Sequence, residues 1–373
     1  MRGSNATDVA GRDSTMNRLV LATLPESLGH ALGWSQMGVV QQVVASVLSA
    51  AFVGTYLMAN AAVAGPWAKR KIAAAFWDKI GPNRIGPAGI LIIVADATRF
   101  LAKELIVPRQ VDRPAFDVPP ILIPFSAIVG FAVIPMGRIF GVNVQLADPA
   151  TGVAYVFAVS SLATLGLTMA GYASNNKFSL MGGLRAIAQN IAYEIPLVVT
   201  AASVVLLAGT LRTSEVVATQ QDALVTLFGV AIPSWYAFVN PFAFVLFVAA
   251  NLAEVGRNPF DIPEAPTEIV AGYMTEYSSV YFVLMYVGEF VHIFLGGAIV
   301  ATLFLGGPAG PVLPGFVWFT VKIWGFFLFT QWARSAVPRL RIDQLIEIGW
   351  KGMLVLSFLN LLLTAVFVGV TAV

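Results

Sequence analysis

"AIAQNIAYEIPLVVTAASVVLLAG", residues 186–209, carries a single formal charge, Glu194. As a helix rising 1.5 Å per residue it reaches about 36 Å, enough to cross ~30 Å of hydrocarbon. Comparable apolar runs recur along the chain. They predict about eight spans, roughly 37–64, 118–136, 152–173, 186–209, 236–256, 280–305, 314–333 and 350–372. Of the 373 residues, 58% are hydrophobic and 11% charged, where soluble domains carry about 25% charged. The mean hydropathy of +0.80 agrees. No ~10-residue alternating segments of a β-barrel occur. The expectation is an all-α polytopic membrane protein, with residues 36–373 as one transmembrane helical domain.

One apolar stretch, 89–107, breaks the pattern by carrying Asp96, Arg99, Lys103 and Glu104. Asp96, Arg99 and Lys103 fall on one helical face, and Val94, Ala97, Leu101 and Leu105 on the other. This predicts an amphipathic helix at the membrane interface, either snorkelling its charges or lining an entrance from the lipid. The preceding "KIGPNRIGPAG" (79–89) supplies two Gly-Pro pairs, a stiff corner between the first span and that helix.

Lys and Arg concentrate in alternate loops. Lys69, Arg70, Lys71, Lys79, Arg84, Arg99, Lys103, Arg109 and Arg113 follow the first span; Lys177 and Arg185 the third; Arg257 the fifth; Arg334, Arg339 and Arg341 the seventh. The intervening loops hold only Arg138 and Arg212. The positive-inside rule therefore predicts cytoplasmic loops at 65–117, 174–185, 257–279 and 334–349, with both termini outside. Residues 1–35 read as a polar, mobile segment lacking the apolar core of a signal peptide, and Met16 offers a second start.

Cysteine is absent, and the two histidines, His30 and His292, lie far apart in sequence. No thiolate metal site or Cys-ligated iron–sulfur cluster is expected in this chain. A net charge of +2 gives no argument for nucleic acid. Walker A and dinucleotide fingerprints are missing.

The informative residues are carboxylates where hydrocarbon should be. Glu194 shares a helix with Gln189, Asn190 and Tyr193, ahead of Pro196. Glu254 lies near the end of the fifth span with Asn251, and Glu289 lies in the sixth beside His292. An unpaired charge at such depth costs several kcal/mol, so these acids need protons, cations or water. The loop after span five is acidic, with Asp261, Glu264, Glu268 and Glu276 against Arg257. Helical spacing would align Glu264, Glu268 and Glu276. Three acids on three helices beside that loop suggest a hydrated proton path. Neutral acids gluing helices together, a solvated acidic patch and the coupling sites of a secondary cation transporter are the competing readings. The internal repeat of many transporters is not evident.

Five stretches carry a family resemblance: "GPNRIGPAG" (81–89), "ADATRFLAKE" (95–104), "MAGYASNNKFSLMGGLRAIAQNIAYEIPL" (169–197), "GRNPFDIPEAPTEIVAGYMTEYSS" (256–279) and "VPRLRIDQLIEIGWK" (337–351). In this order they resemble the H subunit of respiratory complex I, from about residue 40 to the end. The resemblance implies a non-redox membrane subunit of a proton-translocating NADH:quinone oxidoreductase of the complex I type, with NAD(P)H or reduced ferredoxin as the electron donor. Such a subunit forms a quinone chamber with partner subunits, and a neighbour's terminal iron–sulfur cluster reduces the quinone. It further implies association with small and antiporter-like membrane subunits and with lipid, in a bacterial-type plasma membrane or an organelle membrane. By motif position, Glu194, Glu254, Glu264, Glu268, Glu276 and Glu289 match proton-path acids. Arg70, Asp96, Arg257, Asp261, Arg334 and Arg339 match the chamber and its mouth. A passive anchor in a hydrogenase-type complex is the alternative. Two departures stand out. Pro266 replaces a carboxylate in the family's Pro-Glu-Ala-Glu, and Lys69-Arg70-Lys71 stands where the family has Glu-Arg-Lys.

Overall fold

A computed structural model describes residues 39–139, 142–221, 223–227, 230–257, 259–265, 268–310 and 313–371. The N-terminal segment and Pro266 lie outside the described residues. The chain is largely helical. The main helices are α1 (Val39–Met58), α2 (Gly65–Phe76), α3 (Ile92–Leu101), α4 (Pro119–Gly130), α5 (Gly152–Ala173), α6 (Lys177–Ala208), α7 (Pro241–Glu254), α8 (Ser279–Phe304), α9 (Gly315–Ala336), α10 (Ile342–Glu347) and α11 (Leu354–Thr371). Among the described residues, five helical stretches are long and apolar enough to cross a membrane: Arg113–Val133, Gly152–Ala173, Lys177–Ala208, Ser279–Phe304 and Ile342–Val370. The chain is thus an integral membrane protein. Two small antiparallel hairpins, Arg138–Ile139 with Val142–Asn143 and Ala223–Leu227 with Val230–Pro233, decorate connecting loops.

Helix α8 is the hub, with Phe290, Val291, Ile293, Ala298 and Ala301 fully buried. Without a hydrophobic drive between helices in lipid, small residues let backbones approach. A Cβ on Gly171 of α5 would lie 2.9 Å from the Gly183 Cα of α6. Helix α6 begins at Lys177, capped by the Asn176 side chain accepting from the Phe178 N–H. The predicted loop 174–185 therefore shrinks to a short turn, because "FSLMGGLR" continues the helix despite its glycines. Pro196 sits inside α6 without ending it. Proline withdraws the N–H that would serve the Ala192 carbonyl. Gly349 packs there, its would-be Cβ 3.0 Å from that oxygen. Beside it the Tyr193 hydroxyl donates to the Leu345 carbonyl at 2.9 Å.

Helix α1 runs through a π-helical turn, Ala59–Ala64, directly into α2. From Val39 to Phe76 this rod is about 57 Å long at 1.5 Å per residue. That exceeds the ~30 Å thickness of a bilayer's hydrocarbon. The Gly-Pro corner follows, with Gly86 and Gly89 at φ of 73° and 76°. A Cβ on Gly89 would overlap the Pro82 carbonyl. Helix α3 then covers ten residues rather than the stretch 89–107, and none of its side chains is buried. Its end is held where the Ser279 hydroxyl donates to the Lys103 carbonyl at 2.8 Å.

Lys322, buried in α9, donates to the carbonyls of Leu305, Gly307 and Ala309 at 2.5, 2.8 and 2.6 Å, beneath Trp235. These are carbonyls that the end of α8 and its turn leave open. Each stranded acceptor costs about 1–3 kcal/mol. Lys322→Met is therefore expected to lower stability by roughly 3 kcal/mol or more, read as a lower melting temperature in detergent.

Candidate functional site

The loop from Val255 to Ser278 contains no α-helix among its described residues; only Gly272–Met274 forms a 3-10 turn. The expected helical line-up of Glu264, Glu268 and Glu276 does not occur. Instead Gly256, Ala265, Val270 and Gly272 adopt positive φ, folding the segment back onto α6. A Cβ on Gly272 would overlap the Pro263 carbonyl, and one on Gly182 of α6 would strike the Tyr273 nitrogen at 2.6 Å. Backbone lies against backbone, so the loop has one seat.

That seat aims the loop at Glu289. Arg257 donates to one Glu289 oxygen at 3.0 Å, and the Tyr273 hydroxyl donates to the other at 3.0 Å. Glu264 hydrogen-bonds the same carboxylate. Arg257 is only 4% exposed, and its guanidinium stacks 5.4 Å from the Phe290 ring centroid. Burial, and then the Glu289 charge, push the Glu264 carboxyl up to about 8, against the pull of Arg257. Two carboxyls that close cannot both ionise cheaply. Glu264 therefore keeps its proton at neutral pH and shares it with Glu289.

A cavity of about 70 Å³ begins at this pair. Its walls include Glu264, Tyr273, Glu289, His292, Gln189 and Glu254. That is room for about two waters at ~30 Å³ each, and the lining is polar enough to hold them. Gln189 donates to the Ala253 carbonyl at 2.6 Å, leaving its Oε1 without a protein partner among the described residues. Asn190 donates to Thr164 at 2.7 Å. His292 Nε2 lies 3.2 Å from both the Ser126 hydroxyl and the Ile123 carbonyl. At the far wall Glu254 has the Ser160 hydroxyl within hydrogen-bonding reach and feels the charge of Glu194. Three of the six sequence-predicted acids, Glu254, Glu264 and Glu289, thus border this cavity, and Glu194 acts on it through its charge on Glu254. A larger opening of about 630 Å³, around Arg138 and Gly310, has no carboxylate in its lining.

The remaining two acids sit elsewhere. Glu268 pairs with Arg185 at 2.6 Å, and Glu276 accepts from the Asn176 amide at 2.5 Å. Both clamp the loop to the start of α6. Toward the end of α9, Asp261 pairs with Arg339 at 3.3 Å and feels Arg334 and Arg257. Burial and the Glu264 charge nonetheless raise its carboxyl above the ordinary range. Asp96 bridges Arg70 at 2.6 Å and Arg99 at 2.7 Å, tying α3 to α2. Tyr273 and Lys69 belong to the site and escaped its sequence-predicted members. A tyrosine in an acidic loop carries no signal until the fold turns it inward, and Lys69 stood out only as a lysine where the family has a glutamate. Among the described residues no group of His, Cys, Asp and Glu could hold a metal ion.

A profile of the NADH dehydrogenase family matches residues 48–365, which include every helix bordering this cavity. The chain belongs to the H-subunit family of NADH-quinone oxidoreductases. It is 43% identical to the NADH-quinone oxidoreductase H subunit of Thermomicrobium roseum over 303 residues, 80% of this chain and 89% of that one. The second H-type protein of Geobacter sulfurreducens matches equally, at 43% over the same shares. The corresponding protein of Bacillus thuringiensis is 42% identical over 307 residues, covering 81% and 87%. The family motifs at residues 169–197 and 256–279 are those that build α6 and the loop around Glu289.

Proposed function

We propose that this chain is the membrane subunit of a proton-pumping NADH:quinone oxidoreductase. In this reading it forms the quinone entry chamber and links quinone reduction to proton translocation. Eight spans cross the membrane: the α1 rod, α4, α5, α6, α7, α8, α9 and α11. The exposed helix α3 lies at the interface as one wall of the entrance. The basic loops face the cytoplasm and both termini face outward. The chain carries no redox centre; a partner subunit delivers electrons to a quinone, and further membrane subunits receive the coupling.

The observation that carries this reading is the Arg257–Glu289–Glu264 cluster, which opens into a polar cavity reaching Glu254. Reduction of a quinone takes up two protons. Its transient negative charge acts strongly on buried acids, where the effective dielectric is low. An acid pair sharing one proton is a group that such a charge can load.

Affinity purification of the chain from its native membrane tests the assignment. The expected result is co-purification with the remaining oxidoreductase subunits and NADH-driven quinone reduction. The isolated chain in liposomes should pass neither protons nor cations. Flux through the isolated chain would favour a transporter instead.

A further inference from the structure

Lys69 is the site's anomaly. It lies on α2, beyond the first span, and turns inward against α8. Its Nζ donates to the Tyr286 hydroxyl at 3.2 Å and sits 5.1 and 5.3 Å from the Tyr286 and Phe290 ring centroids. Among the described residues no carboxylate comes within salt-bridge distance of it. The amine is thus held by two aromatic faces and a phenol, whereas Arg257 has a carboxylate partner and Lys322 has three carbonyls. Its electrostatic neighbours come from every element packed on it. Arg257 and Glu264 face it from the loop, Tyr286 and Glu289 from α8, and Arg334 from α9; Arg70 and Lys71 flank it on α2.

We propose that Lys69 exchanges a proton with the Glu264–Glu289 pair, so that this subunit's proton relay begins at an amine. The inference rests on the proposed function above. In the resting state the pair holds one proton, and Lys69 holds its own far less firmly than an ordinary lysine, so a share of it is the neutral amine. When the pair loses its proton, the added negative charge favours the ammonium. The net step is a carboxylic acid plus an amine giving a carboxylate plus an ammonium. No bond other than N–H and O–H changes, and the total charge of the site is conserved. That conservation is the physical advantage: the buried cluster never carries an extra uncompensated charge. Aromatic faces stabilise the ammonium without fixing it as a carboxylate would. Burial, then the charges of Arg257 and Arg334, bring the Lys69 ammonium down to about 7, with Glu289 and Glu264 opposing.

The test uses the assembled complex. Lys69 is replaced by Arg, a permanent cation; by Met, permanently neutral; and by His, which titrates near neutrality. Coupled quinone reduction is followed from pH 6 to pH 9, on the order of the range over which His and a shifted Lys titrate. The Arg and Met variants are expected to fall about tenfold or more and to lose the Lys69-dependent limb of the profile. The His variant should recover most of the rate. A wild-type rate and profile in Lys69→Arg would overturn the proposal and make Lys69 a fixed charge. Failure of Lys69→His to recover above Lys69→Met would overturn it as well.

Should the variants not assemble, reductive methylation of the wild-type complex across pH decides. Half-maximal modification of Lys69 near neutrality supports the exchange, and modification only at the pH of an ordinary lysine overturns it. If isolated-chain flux is absent and Glu289→Gln stops pumping while Lys69→Arg is silent, the Lys69 inference alone fails and the proposed function stands.

Discussion

Arg257→Met is expected to destabilise the subunit by about 3–5 kcal/mol and to empty the membrane of assembled complex. The arginine's partner is the reason. Glu289 lies on the most buried helix, with Arg257 as its only cation within salt-bridge distance among the described residues. Removing the cation leaves a largely buried carboxylate facing Glu264 and Tyr273, with only a cavity of about two waters to solvate it. The double variant Arg257→Met/Glu289→Gln removes both charges. It should recover more than half of the lost assembly, because the stranded charge, rather than the lost attraction, dominates the cost. Recovery is read from the yield of intact complex and its melting temperature. A double variant no better than the single one would mean that Arg257 acts through packing on Phe290.

Glu264 governs the pH dependence. Its carboxyl is pushed from the ordinary 4.5 up to about 8, first by burial and then by Glu289. An acid shifted upward holds its proton across that interval and releases it above. The folded chain therefore binds more protons than the unfolded one between about 4.5 and about 8, and the stability associated with Glu264 falls as pH rises through this window. Coupled quinone reduction should show an alkaline limb centred near 8, belonging to the Glu264–Glu289 pair as a unit. Glu264→Gln keeps a neutral donor toward Glu289 and cannot release a proton. The limb should flatten, and coupled turnover should drop on the order of 10²-fold. An unchanged alkaline limb in this variant would remove Glu264 from the path.

How much of this could be read from the residues divides along physical lines. Helix α5 was legible to the residue, because a span bounded by turn residues on both sides has only one way to cross. Helix α6 started nine residues before the predicted span; hydropathy marks where lipid ends, not where helix ends. The acids of α6, α7 and α8 were legible as anomalies, since a charge inside an apolar run has few innocent explanations. The loop was not. Its helical spacing of Glu264, Glu268 and Glu276 misled, because positive φ at Ala265, Val270 and Gly272 breaks any helix there. The same folding sends Glu268 and Glu276 to Arg185 and Asn176 as clamps. Lys69 was visible only as a departure from the family's Glu-Arg-Lys. Its aromatic seat depends on the angle of α2 against α8, which no local pattern encodes.

The proton held between Glu264 and Glu289 is expected to move when quinone is reduced. That movement is tested most directly by counting protons translocated per quinone reduced in proteoliposomes containing the complex with Glu289→Gln. Because Glu264 and Asp261 still face Arg257, assembly and residual quinone reduction should survive while the proton count per quinone falls toward zero. A variant that translocates the wild-type number of protons per quinone would contradict this expectation.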